Sequence, residues 1–348
     1  MLIICMGIGC ASIPEKQVMS PAPVFYPALP QRPRLQFLRS ISGEGDLGKT
    51  QSVLHEFIFG RGNNQFLGKP YDVAAAKGKI YVMDRLYKRI VIIDLTSQTM
   101  SFLNDHGNGR LDDPAGICIS QEDIKYVADM QRKQVVAFDK KNRFLRTYGS
   151  QEIFKKPVDV AVYGKHLYVV DMNMEKLFIL DKETGQVIKT VGGEGEFFKP
   201  SHVAVGPLGN VFVTDTLHSV IKKFSPDGRF LGTIGFLGDQ IGGFVRPKGA
   251  SLDKKGRLYV VDAAFENVQI FNDQGQLLLF FGGPGTGQGH LYLPAGIAID
   301  YSNTAFFQKF ADPDFKLEYL VYVTSMFGKN MLNVYGFGHW TGTSLPGE

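Results

Sequence analysis

The sequence predicts an all-β fold: a six-bladed β-propeller of four-stranded antiparallel blades, its ring closed by a strand from the N-terminal side. Three observations predict it. A proline, two variable residues and an apolar pair recur at Pro70, Pro114, Pro157, Pro200, Pro247 and Pro294, with gaps of 44, 43, 43, 47 and 47 residues. In the first five units an apolar strand ends in Asp84, Asp129, Asp171, Asp215 or Asp262, 14 or 15 residues after the proline. A period in the forties with four strand-length segments per period is how stacked blades are written in sequence. Third, no fourth strand follows the last unit's third strand, which ends near Tyr335, yet residues 37–43 nearly duplicate the fourth strand of the second unit at 144–149. Residues 35–41 are therefore expected to be the outer strand of blade 6, which removes the open edge that six separate blades would leave.

The unit is clearest over residues 200–235. Its turns contain Pro207 and Gly209, then Pro226 and Gly228. Proline presets φ and glycine accepts positive φ, so both hairpins have a mechanism. The third strands, ending at Asp94, Asp139, Asp181, Ser225, Asn272 and Tyr335, alternate or run apolar, as strands packed between neighbouring blades do. The fourth strands of blades 2–5 end in Gly149, Gly192, Gly235 and Gly282.

This pattern resembles the NHL-repeat family of six-bladed propellers over residues 35–338. The resemblance implies the fold. For activity it implies little, because such propellers include sensor domains, scaffolds, RNA binders and a few lyases.

The remaining segments are read in order. Residues 1–10 are apolar and end in Cys10 after small residues. They resemble a bacterial lipoprotein signal, which implies lipidation of Cys10, export and attachment to the cell envelope, at the outer membrane facing the periplasm or exterior. The run is short, has no basic leader, and carries Gly7 where the family prefers leucine. Residues 11–34 hold six prolines and read as a semi-extended tether. Val53, Leu54, Phe57 and Ile58 share one face at helical spacing, so a short helix is expected over 50–59. Blade 6 carries an insertion at 301–319 with Phe306, Phe307, Phe310, Phe315 and Tyr319. These aromatics either cover the blade's own edge or form a partner-binding surface. Residues 339–348 are read as a tail.

Charge and cysteine content narrow the function. The chain has 38 basic and 34 acidic side chains, interspersed, for a net charge of +4. That is too weak and too scattered for a nucleic-acid partner. Of three cysteines, Cys118 falls on an inner strand and no CxxC occurs, so neither a disulfide framework nor a zinc ribbon is encoded. The glycine-rich run at 282–290 lacks the Lys-Ser/Thr ending of a phosphate loop and reads as a blade connector.

The residue two after each proline opens an inner strand near the central channel. Around the ring it is Asp72, Gly116, Asp159, His202, Gly249 and Gly296. Two carboxylates and an imidazole about one axis suit a divalent cation or acid–base chemistry. Alternatively the aspartates accept backbone amides at strand starts. The repeated Asp84, Asp129, Asp171, Asp215 and Asp262 occupy one structural position and are expected to cap turns. The expected function is a monomeric, envelope-anchored, non-enzymatic propeller that binds a protein or other macromolecule, without a cofactor. The alternatives are a channel-site lyase or hydrolase holding a metal on Asp72, Asp159 and His202, and a small-ligand sensor.

Overall fold

Why the periodic prolines matter is visible in the backbone: each begins the innermost strand of a four-stranded antiparallel sheet, and six such sheets surround one axis. The structure, a computed structural model, describes residues 22–48, 66–103 and 106–345. Cys10, the rest of residues 1–21 and the helix expected over 50–59 lie outside the described residues. The inner strands are Pro70–Ala76, Pro114–Ile119, Pro157–Tyr163, Pro200–Val205, Pro247–Leu252 and Pro294–Asp300.

The ring closes as the sequence predicts. Leu35–Ile41 pairs antiparallel with Leu332–Trp340, with Phe37 opposite Tyr335 and Ile41 opposite Leu332. Six clusters of buried apolar side chains result, one at every blade–blade interface including that between blades 6 and 1. Each sheet buries both faces, which is why its strands read as apolar runs.

The glycines ending the outer strands have a packing reason. Gly149, Gly192, Gly235 and Gly282 all take positive φ, and Phe154, Phe197, Phe244 and Leu291 lie against them. A Cβ at these positions would meet those side chains at 2.2–2.7 Å. Glycine thus admits both the turn and the plug that seals the interface.

Blade 6 departs from the expectation in two places. Its second strand, Phe315–Ser325, already begins inside the segment read as an insertion, and its third runs on to Trp340. The excursion is only 301–314, with a short helical turn at Thr304–Phe307 and another at Gln308–Phe310. The end of the proline-rich stretch also folds back. Phe25–Tyr26 adds a fifth, two-residue strand outside Leu35–Ile41. Phe25 is buried against Phe315 and Trp340, both at 5.9 Å between ring centroids.

Candidate functional site

Antiparallel connectivity gives the propeller two unlike faces. One, the loop face, carries the turns between second and third strands and the blade-to-blade connectors. The other carries the remaining hairpin turns. Asp72, Asp159 and His202 stand where the inner strands open beneath the loop face, and all three line a central cavity of about 250 Å³ that runs along those strands.

The geometry commits both carboxylates to the scaffold. Asp72 Oδ1 accepts the Val73 N–H at 2.9 Å and Oδ2 accepts the Ile117 N–H of blade 2 at 2.8 Å. Asp159 Oδ1 accepts the Val160 N–H at 2.8 Å and Oδ2 accepts the Val203 N–H of blade 4 at 2.9 Å. Each aspartate therefore staples one blade to the next at its inner edge. The ring glycines are part of the same packing. A Cβ on Gly116 would fall 2.1 Å from Asp159 Oδ1, and one on Gly296 would fall 2.6 Å from Asp72 Cα. Burial raises both carboxyls, Asp72 to about 7 and Asp159 well above the usual range, and the charge of Asp72 adds to the rise at Asp159.

His202 is held as a neutral ring with a defined tautomer. Thr216 Oγ1 donates to the Pro247 carbonyl at 3.0 Å, so Ser201 Oγ, 2.6 Å from Thr216 Oγ1, must be the donor in that pair. Ser201 has one hydroxyl hydrogen, so it accepts from His202 Nδ1–H at 2.9 Å. Nε2 is left as a buried lone pair without a partner among the described residues. Burial, then the nearby Lys248 ammonium, lowers the imidazole to about 3. Tyr71, from the opposite blade, reaches across the axis and stacks on His202 at 5.7 Å and 24°. This pair covers the channel at the loop face. Burial pushes the Tyr71 phenol up to about 12.

These shifts oppose one another in pH. Between about 4 and 7 the folded state keeps protons on Asp72 and Asp159 that the unfolded state has released, so stability falls as pH rises. Between about 3 and 6.5 the unfolded state protonates His202 and the folded state does not, so stability rises with pH. Replacing His202 with Gln is expected to remove the second effect. The decline between pH 4 and 6.5 should then steepen by about 1.4 kcal/mol per pH unit, measured by urea unfolding across that range. An unchanged slope would refute the assignment.

Among the described residues no three His, Cys, Asp or Glu side chains converge as a ligand set. Asp84, Asp129, Asp171, Asp215 and Asp262 are buried turn caps. Asp171, for example, accepts the N–H groups of Lys155 and Lys156 at 2.7 Å each and those of Asn173 and Met174 at 3.0 and 2.9 Å.

Burial also decides much about the blade-6 aromatics. Phe307, Phe315 and Tyr319 are buried, and Tyr319 bonds Tyr259 through their hydroxyls at 2.6 Å. These three seal their own blade and offer a partner no surface. Phe306 and Phe310 are half-buried beside a pocket of about 70 Å³, where Arg39 lies 4.5 Å over the Phe310 ring.

Exposed apolar side chains gather elsewhere. Among the described residues, eleven of the twenty-one exposed large hydrophobics belong to the loop face, including Phe198, Leu217, Phe236, Leu237, Ile241 and Val245. Blades 3–5 supply these six. The positions vary between repeats, so periodicity hides them. Tyr71 and Lys248 escaped sequence reasoning for the same reason: they occupy the variable position after Pro70 and Pro247, whereas Arg246 precedes its proline as Lys69, Lys156 and Lys199 precede theirs.

No protein-family model matches the chain, and no curated protein matches it. Solved structures do. A structural-genomics protein of unknown function from Bacteroides thetaiotaomicron is 16% identical with a TM-score of 0.62, over 87% of this chain and 75% of that one. A gluconolactonase from Xanthomonas campestris is 14% identical with a TM-score of 0.57, over 87% and 89%. A streptogramin B lyase is 12% identical with a TM-score of 0.55, over 78% and 83%. At such identities the likeness speaks for architecture alone, and the chain is a six-bladed β-propeller.

Proposed function

We propose that this chain is an NHL-type propeller, anchored in the cell envelope through a lipidated Cys10, that docks a macromolecular partner on its loop face without catalysis. The observation that carries the reading is the concentration of exposed apolar side chains on that face. Patches of this kind on a rigid scaffold mark interaction sites. The channel supports it from the other side, because its carboxylates are occupied in holding blades together. The small residues before Cys10 support the anchor.

The test pairs two variants. Leu237→Asp with Ile241→Asp is expected to abolish recovery of a specific cross-linked partner from detergent-solubilised envelopes, at an unchanged melting temperature. Cys10→Ser is expected to move the chain from the membrane pellet to the soluble fraction. Recovery of one partner set by both wild type and the double variant would overturn the docking face. A Cys10→Ser chain that stays with the membrane would overturn the anchor.

A further inference from the structure

Six backbone amides ring the central channel, and the two aspartates account for four of them. Val73, Ile117, Val160, Val203, Ala250 and Ile297 each stand three residues after their proline. Each lies opposite a valine of its blade's second strand, Val260 for Ala250 and Val323 for Ile297. A shared register fixes a shared direction for the six N–H groups, away from the second strand. Asp72 accepts the amides of blades 1 and 2, and Asp159 those of blades 3 and 4, one oxygen to each. The remaining pair belongs to blades 5 and 6, which are neighbours. Among the described residues no acceptor is found for the N–H of Ala250 or Ile297, and inner amides without one are rare in folded proteins.

Packing explains why no third aspartate completes the set. The position of Asp72 and Asp159 is held in blade 5 by Gly249. A Cβ there would fall 2.6 Å from the Ala295 carbonyl oxygen and 3.1 Å from the Ile297 nitrogen. Blades 5 and 6 approach too closely for the chain to carry its own staple. The same distances place the Ile297 amide beside the residue that precedes Ala250, so both N–H groups border one spot. The cavity contains a further unmet group, the Nε2 lone pair of His202, on a side chain 3% exposed. We propose that the channel binds a small-molecule carboxylate that bridges blades 5 and 6, one oxygen on the Ala250 N–H and the other on the Ile297 N–H. The chain itself supplies the precedent, since Asp72 and Asp159 each span an equivalent amide pair at 2.8–2.9 Å. Two oxygens held apart in one plane suit two separate donors. Below about pH 7 burial keeps both aspartates protonated, so neither repels the guest. Tyr71 and His202 cover the loop-face end. Entry is therefore from the other end, where the lining residues Ile119, Val162, Val205 and Leu252 are only half-buried. The site lies beneath the docking face and does not depend on it.

Amide NMR of the nitrogen-labelled full chain tests it, with sodium acetate titrated against sodium chloride at constant ionic strength and at a pH below the Asp72 value. The Ala250 and Ile297 amides should shift together along one saturation curve, while those of Val73, Ile117, Val160 and Val203 stay still. Ala250→Pro removes one donor at an edge position that makes no ladder bond. It should weaken acetate binding, read at Ile297, at least tenfold. Asp159→Gly frees a second amide pair and should add a second acetate site, read at Val160 and Val203. That variant leaves blades 5 and 6 untouched and so guards against misfolding of the proline variant. Acetate without effect on Ala250 and Ile297 overturns the site and leaves water as the guest of these amides. Chloride that saturates both amides at lower concentration than acetate overturns the carboxylate. An equal shift at all six amides overturns the assignment to blades 5 and 6. An Asp159→Gly chain that gains no second site overturns the precedent on which the ligand class rests.

Discussion

A chain cut to begin at Ser42 is expected to lose its cooperative unfolding transition in urea, whereas one beginning at residue 22 keeps it. The cut removes Leu35–Ile41, which supplies the outer strand of blade 6. Leu35, Phe37, Leu38 and Ile41 are all buried there. Each is worth about 1.5–3 kcal/mol of burial, so together they match the total stability of about 5–15 kcal/mol expected of a domain. The loss reaches further than one strand. It strips Val334, Tyr335 and Phe337 of their cover and opens an edge in the sheet that joins blades 5 and 1. A synthetic peptide of residues 22–41 added in trans should restore the far-UV circular dichroism of the intact chain. A sharp sigmoidal transition in the cut chain, without peptide, would refute the closure.

The second large effect concerns the channel. Asp159→Ala is expected to lower the free energy of unfolding by about 2–4 kcal/mol, read from urea titration at pH 7. The Val160 and Val203 amides lose their acceptor in a buried site, and each orphaned N–H costs about 1–3 kcal/mol. Relief from holding a desolvated carboxyl offsets part of this. Asp72→Ala should act similarly through the Val73 and Ile117 amides. Stability unchanged in both variants would mean that these carboxylates are not staples and that the channel deserves a ligand search.

The fold was legible because its determinants repeat. Pro70 and its five counterparts, and Asp84 and its four, recur at fixed intervals, and the likeness of residues 37–43 to 144–149 revealed the closing strand. What repeats is what every blade needs: a strand start, a turn cap, a glycine under an apolar plug. The features of blade 6 were less legible. Phe315 and Tyr319 lie in a strand lengthened only in this blade, and Phe25–Tyr26 sits among prolines that argue against any strand. The channel residues were found by position, but sequence left their role open between ligand site and staple. Only the distances to Ile117 and Val203 favour the staple.

The return of Phe25 onto Trp340 brings the two ends of the described chain together in one sheet. Five of the six blades are each woven from one continuous run of sequence, and a single seam joins head to tail. Topologically the described chain is a loop with a nick in it, and among the described residues blade 6 is the one blade built from two distant stretches of sequence.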